Sequence, residues 1–230
     1  MKIKQTATNS RNSLQHGIYA VINPFVKLLI RLHITPNIVT TIGFLGNAAA
    51  AAVIVAAALR PAGSPVDYAL ITWAGALIIG FSLFDMLDGQ VARLGNMAST
   101  FGAMYDSVLD RYCELLTLGA ISLYMISCGL WVGALLTFLA LVGSIMVSYV
   151  RARAEGLGIE CKIGFLQRPE RVVITSAATL ATGIAGQCGA SFDVNIILIC
   201  AMAFIALFAN ITAFARLGYS RRQLMAKENK

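Results

Sequence analysis

Apolar residues come in long blocks along this chain. Residues 41–59, 131–150 and 194–214 each run for about 20 positions without a charged side chain, and a helix of that length crosses a hydrocarbon core of about 30 Å. The full pattern predicts an all-α, polytopic membrane protein with six spans, at about 38–59, 68–92, 103–127, 131–151, 170–187 and 193–215. The segment before them, 12–33, reads differently. Leu14, Ile18, Val21, Ile22, Phe25, Leu29 and Leu32 form a helical stripe, with Lys27 and Arg31 off it and Pro24 kinking it. That is the pattern of an amphipathic juxtamembrane helix lying in the interface. His33-Ile34-Thr35-Pro36-Asn37 then breaks the helix, because a residue before proline avoids the α region. No repeat, low-complexity run or linker follows. Residues 1–230 therefore read as one membrane domain with its six-helix core at 38–215.

Composition narrows the class. The chain is 58% hydrophobic and 13% charged, about half the charge of an average soluble domain. Its net charge of +7 does not call for nucleic acid, because basic residues mark the cytoplasmic side of membrane proteins. With the N-terminus inside, Arg60 is the one basic residue of 18 that falls outside. This predicts both termini and the loops after the second and fourth spans on the cytoplasmic face. The basic start MKIKQTATNSRNSLQH lacks the apolar run of a removable signal peptide. The five cysteines show no metal-ligand spacing and read as packing residues, although Cys128 and Cys188 both fall in outer loops where a bridge is open.

The chemistry gathers in two polar stretches at span ends. Asp85 and Asp88 are spaced i, i+3, and Asp106 and Asp110 i, i+4, so each pair lies on one helix face. A short cytoplasmic loop joins the two helices, which can then run antiparallel with the pairs facing. Four carboxylates at the membrane edge repel one another, and hard cations such as Mg²⁺ or Mn²⁺, two of them here, would neutralise them and bind a diphosphate. Gly89 lets a phosphate approach the backbone, and Arg93 can hold it in bidentate fashion. Structural ion pairing with Arg93 and Arg111 is the plainer alternative, but four acids against two local bases leave an excess of negative charge.

The pattern D-x-x-D-G-x-x-A-R-x8-G-x3-D-x3-D, carried by Asp85, Asp88, Gly89, Ala92, Arg93, Gly102, Asp106 and Asp110, resembles the signature of the CDP-alcohol phosphotransferases. The resemblance covers nearly the whole chain. It implies a metal-dependent enzyme that transfers a phosphatidyl group from CDP-diacylglycerol to a polar alcohol and releases CMP. It further implies that Asp85, Asp88 and Asp106 ligate metal, with Asp110 in the same set acting as general base on the acceptor hydroxyl. Asn37 and Thr40, in a PNxxT stretch, and Ser99 would join Asp88, Gly89, Ala92, Arg93 and Gly102 around the CDP-lipid. The resemblance also implies a homodimer, and the charge bias predicts the site on the cytoplasmic face of a bacterial cytoplasmic membrane.

Two further stretches bear on the acceptor. Asp106-Ser107-Val108-Leu109-Asp110-Arg111, and Ser148-Tyr149-Val150-Arg151-Ala152-Arg153-Ala154-Glu155 with Arg168-Pro169-Glu170-Arg171, are similar to segments of the phosphatidylinositol-phosphate synthases. Inositol 1-phosphate would need a cationic pocket of its own, and Arg151, Arg153, Arg168 and Arg171 flank one loop that can supply it. Glycerol 3-phosphate, inositol and serine stay open as acceptors. Intramembrane prenyltransferases place their Asp motifs much farther apart. A cation transporter, the non-enzymatic alternative, would place its aspartates at the bilayer midplane.

Overall fold

The computed structural model describes residues 23–61 and 64–228, which are helical wherever they are regular. In chain order the helices are α1 (23–31), α2 (Pro36–Ala58), α3 (Tyr68–Ser82), α4 (Phe84–Leu94), α5 (Thr100–Ser127), α6 (Trp131–Gly156), α7 (Arg168–Gln187) and α8 (Asn195–Glu228). Most of the expected interfacial helix, 12–22, lies outside the described residues. Its remainder, α1, is helical and buries Val26.

Local chemistry sets several helix ends. Asp67 Oδ1 accepts from the Ala69 N–H at 3.0 Å and starts α3. Pro169 sits in the first turn of α7. The end of α1 is a Schellman turn: His33 adopts φ 57°, its N–H reaches Ile30 O and the Ile34 N–H reaches Leu29 O, both at 3.0 Å. The break expected at 33–37 thus has a backbone mechanism. Asn96, at φ 50°, closes α4 in the same way, with the Met97 N–H on Ala92 O at 2.9 Å.

Each of the six expected spans is helical, the second as α3 and α4, but among the described residues four runs are long and apolar enough to cross a membrane: Pro36–Ala58, Tyr68–Leu94, Trp131–Gly156 and Asn195–Glu228. The chain is an integral membrane protein. α5 and α7 fall short because polar groups occupy one side of each. α5 carries Asp106, Asp110, Arg111 and Glu114, and α7 carries Arg168, Glu170, Arg171 and buried Thr175, Ser176, Thr179 and Thr182.

The chain divides into two compact units, Met1–Gly43 with Ser82–Leu109, and Phe44–Phe81 with Asp110–Lys230. In the first, Val26, Val39, Leu87 and Val91 form a small core from α1, α2 and α4. The larger core of the second centres on Ile54, Ile71, Ile121, Tyr124, Met202 and Ile205. Within it α3 and α7 pack backbone to backbone. A Cβ on Gly75 would stand 2.5 Å from Leu180 N, and one on Gly183 2.4 Å from Thr72 N. Small residues that admit such approach are the usual basis of helix packing in membranes. Thr137, Thr179 and Thr212 return their hydroxyls to the carbonyls of Gly133, Thr175 and Phe208, each at 2.8 Å, so these buried polar groups are satisfied within their own helices. Cys128 and Cys188, whose bridge the sequence leaves open, are not joined in a disulfide.

Candidate active site

In the first unit the N-terminal ends of α2 and α5 and the middle of α4 enclose a cleft of about 210 Å³. Asn37, Thr40, Asp88, Gly89, Ala92, Ser99, Gly102 and Asp106 line it, all of them singled out in the sequence, together with Pro36, Met97, Ala98 and Ala103. Asp88 is buried, and its Oδ2 accepts from Thr40 Oγ1 at 2.7 Å. One turn of α2 therefore fixes the rotamer of a carboxylate on α4. Ser99 Oγ caps α5 by accepting from the Gly102 N–H at 3.0 Å. A Cβ on Gly102 would lie 3.0 Å from that oxygen and 3.2 Å from Asn37 Oδ1, so glycine keeps this wall of the cleft open. Gly89 has no such crowding; the nearest atom to its absent Cβ is Arg93 Nη2 at 3.8 Å. Arg93 itself is exposed in the last turn of α4, arched back over Gly89 rather than lining the cleft.

Asp85 also lies outside the cleft lining, yet its charge and that of Asp106 both bear on Asp88. Two acids acting on a third, buried carboxylate call for a counter-cation, and an all-oxygen donor set suits Mg²⁺ or Mn²⁺. Among the described residues no three such side chains already surround one point as metal ligands would. The residues fit the cation by charge and donor type.

α5 continues one turn past Asp106 to Asp110, which lines a cleft of about 230 Å³ in the second unit. Arg111, Arg151, Arg168, Arg171 and Arg216 line it too, with Ser148 and Gln167. Arg168 Nη2 stands 2.8 Å from Asp110 Oδ1, and Arg111 Nη1 3.8 Å from Oδ2. Arg171 is buried against Glu114, with Nε 2.9 Å from Oε1, and also donates to Leu166 O at 3.2 Å. Arg216 is buried as well and donates to Ile163 O and Val147 O, both at 2.7 Å. Two of these guanidiniums thus build the wall, while Arg151, 2.9 Å from Glu155 on the next turn, and Arg168 are partly exposed. Arg153 is not brought to this cleft; it lines another, between α6 and α8.

Arg216 and Glu114 were missed in the sequence. Arg216 carried a usable signal, as a charge directly following an apolar span, and Glu114 stands i+4 from Asp110 on the same helix face.

A family model described as CDP-alcohol phosphatidyltransferase matches residues 33–214. The chain belongs to the CDP-alcohol phosphatidyltransferase family. Among curated relatives, this phosphatidyltransferase is 32% identical to the phosphatidylinositol phosphate synthase of Cutibacterium acnes, over 90% of this chain and 95% of that one. It is 37% identical to the archaetidylinositol phosphate synthase of Methanothermobacter thermautotrophicus, over 74% and 78%. Among solved structures, the phosphatidyltransferase matches the Mycobacterium tuberculosis phosphatidylinositol phosphate synthase with CDP-DAG bound, at TM-score 0.74 and 25% identity, over 87% of this chain and 94% of that one. The same enzyme in complex with manganese and citrate matches at TM-score 0.71 and 26% identity, over 86% and 87%.

Proposed function

We propose that this chain transfers the phosphatidyl group of CDP-diacylglycerol to inositol 1-phosphate. The observation that carries the acceptor is the second cleft, where Asp110 stands among Arg111, Arg151 and Arg168. A carboxylate flanked by partly exposed guanidiniums is what a phosphorylated alcohol requires: cations for its phosphate and a base for its hydroxyl.

In this reading Asn37, Thr40, Gly89, Ala92, Arg93, Ser99 and Gly102 hold the nucleotide and diphosphate, with the N-terminus of α5 favouring negative charge. Asp85, Asp88, Asp106 and Asp110, the four aspartates of the motif, would hold Mg²⁺ or Mn²⁺, which would supply charge stabilisation to the diphosphate. Asp110 takes the proton of the acceptor hydroxyl as its oxygen bonds to the phosphatidyl phosphorus. The bond from that phosphorus to the bridging oxygen breaks, and CMP leaves with the electron pair. Arg151 and Arg168 orient the acceptor, and Arg171 supports them through its buried pair with Glu114.

The same reading makes α5 and α7 membrane-crossing helices, six crossings in all, within one functional domain. The positive-inside bias supports placing the site on the cytoplasmic face of a bacterial membrane. The family resemblance supports a homodimer.

An acceptor screen tests the proposal. Purified protein with CDP-diacylglycerol should release CMP fastest with inositol 1-phosphate, over inositol, glycerol 3-phosphate and serine. A parallel arm with CDP-archaeol reads the donor, given the likeness to an archaetidyl-transferring relative. Preference for an unphosphorylated acceptor would overturn the assignment.

A further inference from the structure

The arginine that the anion cleft leaves out has a setting of its own. Arg153, on the last turns of α6, and Arg221, on the last turns of α8, stand at the rim of a cleft of about 340 Å³. Val150, Ala154, Leu157, Leu217 and Leu224 make its lining largely apolar.

Depth and charge say what can fill it. At about 1.5 Å per residue a helix crosses a hydrocarbon core of about 30 Å in roughly 20 residues, and α8 has 34. Its final turns, with Arg221, Arg222 and Lys227, therefore lie at headgroup level, and the cleft opens there. The acids around it are otherwise engaged: Glu155 pairs with Arg151 and Glu160 with Lys162. Arg153 and Arg221 are exposed and have no carboxylate partner among the described residues. Glu228 also lines the cleft, so two guanidiniums against one carboxylate leave a net positive charge. An apolar slot at headgroup depth under a cationic rim matches a chain with an anionic head.

We propose that this cleft is a binding site for an anionic phospholipid, one acyl chain lying between α6 and α8 and the phosphate held by Arg153 and Arg221. The site is separate from both clefts assigned to the reaction and does not depend on which alcohol accepts the phosphatidyl group.

The test uses the full chain in detergent with equimolar dioleoyl phosphatidylglycerol and dioleoyl phosphatidylcholine, the retained lipid being read by native mass spectrometry. The wild type should retain the anionic lipid in preference by about fivefold or more, the order of one basic contact at a membrane surface. Arg153→Ala with Arg221→Ala should bring retention of the two lipids to parity. Leu224→Trp, which fills the slot and leaves both arginines, should lower retention of the anionic lipid, and free glycerol phosphate should not displace it. Thermal midpoints identify variants that fail to fold; if the double variant fails, the single Arg221→Ala and Leu224→Trp carry the test. Equal retention of both lipids by the wild type would overturn the proposal. So would an undiminished preference in folded variants, or displacement by glycerol phosphate.

Discussion

Asp88 and Asp110 are both carboxylates of one motif, yet their surroundings differ. Asp88 is buried with a hydroxyl donor at 2.7 Å, whereas Asp110 meets a guanidinium at 2.8 Å. A metal ligand holds the ground-state diphosphate, and a base acts only in the transition state. Asp110→Asn should therefore abolish turnover while keeping more CDP-lipid binding than Asp88→Asn, in a binding assay run beside CMP release. Equal loss of binding would remove the distinction. Arg168→Ala should raise the acceptor KM by about tenfold or more, since a charge-assisted hydrogen bond is worth about 1.5–3 kcal/mol, and leave the CDP-lipid KM unchanged. Arg153→Ala should leave both KM values unchanged. Sequence spacing identified the aspartates because helical periodicity alone puts i, i+3 and i, i+4 on one face. It could not divide the four arginines. Arg151 and Arg153 are two residues apart on α6, so they point to different sides, and only the positions of α7 and α8 decide which side is the anion cleft. The buried Glu114–Arg171 pair, 2.7 Å at its closest, adds a stability prediction. Glu114→Ala should cost about 3–5 kcal/mol, because it strands a buried guanidinium, seen as a lower thermal midpoint in detergent.

Helices were placed well by hydropathy and their ends less well, for a physical reason. Apolar runs stop where the membrane stops, but a helix stops where its backbone is capped. The span expected at 193–215 falls on α8, which continues to Glu228, and the one at 131–151 on α6, which continues to Gly156. The interruption at Leu83 between α3 and α4 left no mark in the sequence, being a change of one residue's hydrogen bonding within an apolar run. The close approach of α3 and α7 was also hidden, since glycines at 75 and 183 show their meaning only against Leu180 and Thr72. Gly183→Ala should lower the thermal midpoint by an overpacking cost of about 1–3 kcal/mol. Gly119→Ala on α5, where a Cβ meets nothing within 4 Å, should be neutral or stabilising, as alanine is the better helix former. Similar losses in both would show that the α3–α7 approach is not the cause.

For the molecule as a whole the metal is the central test. Chelation should abolish CMP release, and added Mg²⁺ or Mn²⁺ should restore it, because carboxylates that repel one another leave the diphosphate without countercharge. The stoichiometry of the assembly is read from the mass of the detergent-solubilised protein; a monomer alone would count against a homodimer.

Arg216 ties three segments with one side chain. It sits on α8 and donates to Val147 O on α6 and Ile163 O in the loop that leads to Gln167 and Arg168. The anion cleft is thus wired into the last helix, and occupancy and fold should be thermodynamically linked. A ligand that binds only the folded state adds RT ln(1 + [L]/Kd), about 2.7 kcal/mol at a hundredfold excess over Kd. Inositol 1-phosphate should accordingly raise the melting temperature without any donor lipid or turnover. In Arg216→Met, which keeps the packing and cuts the tether, the same concentration should raise it far less.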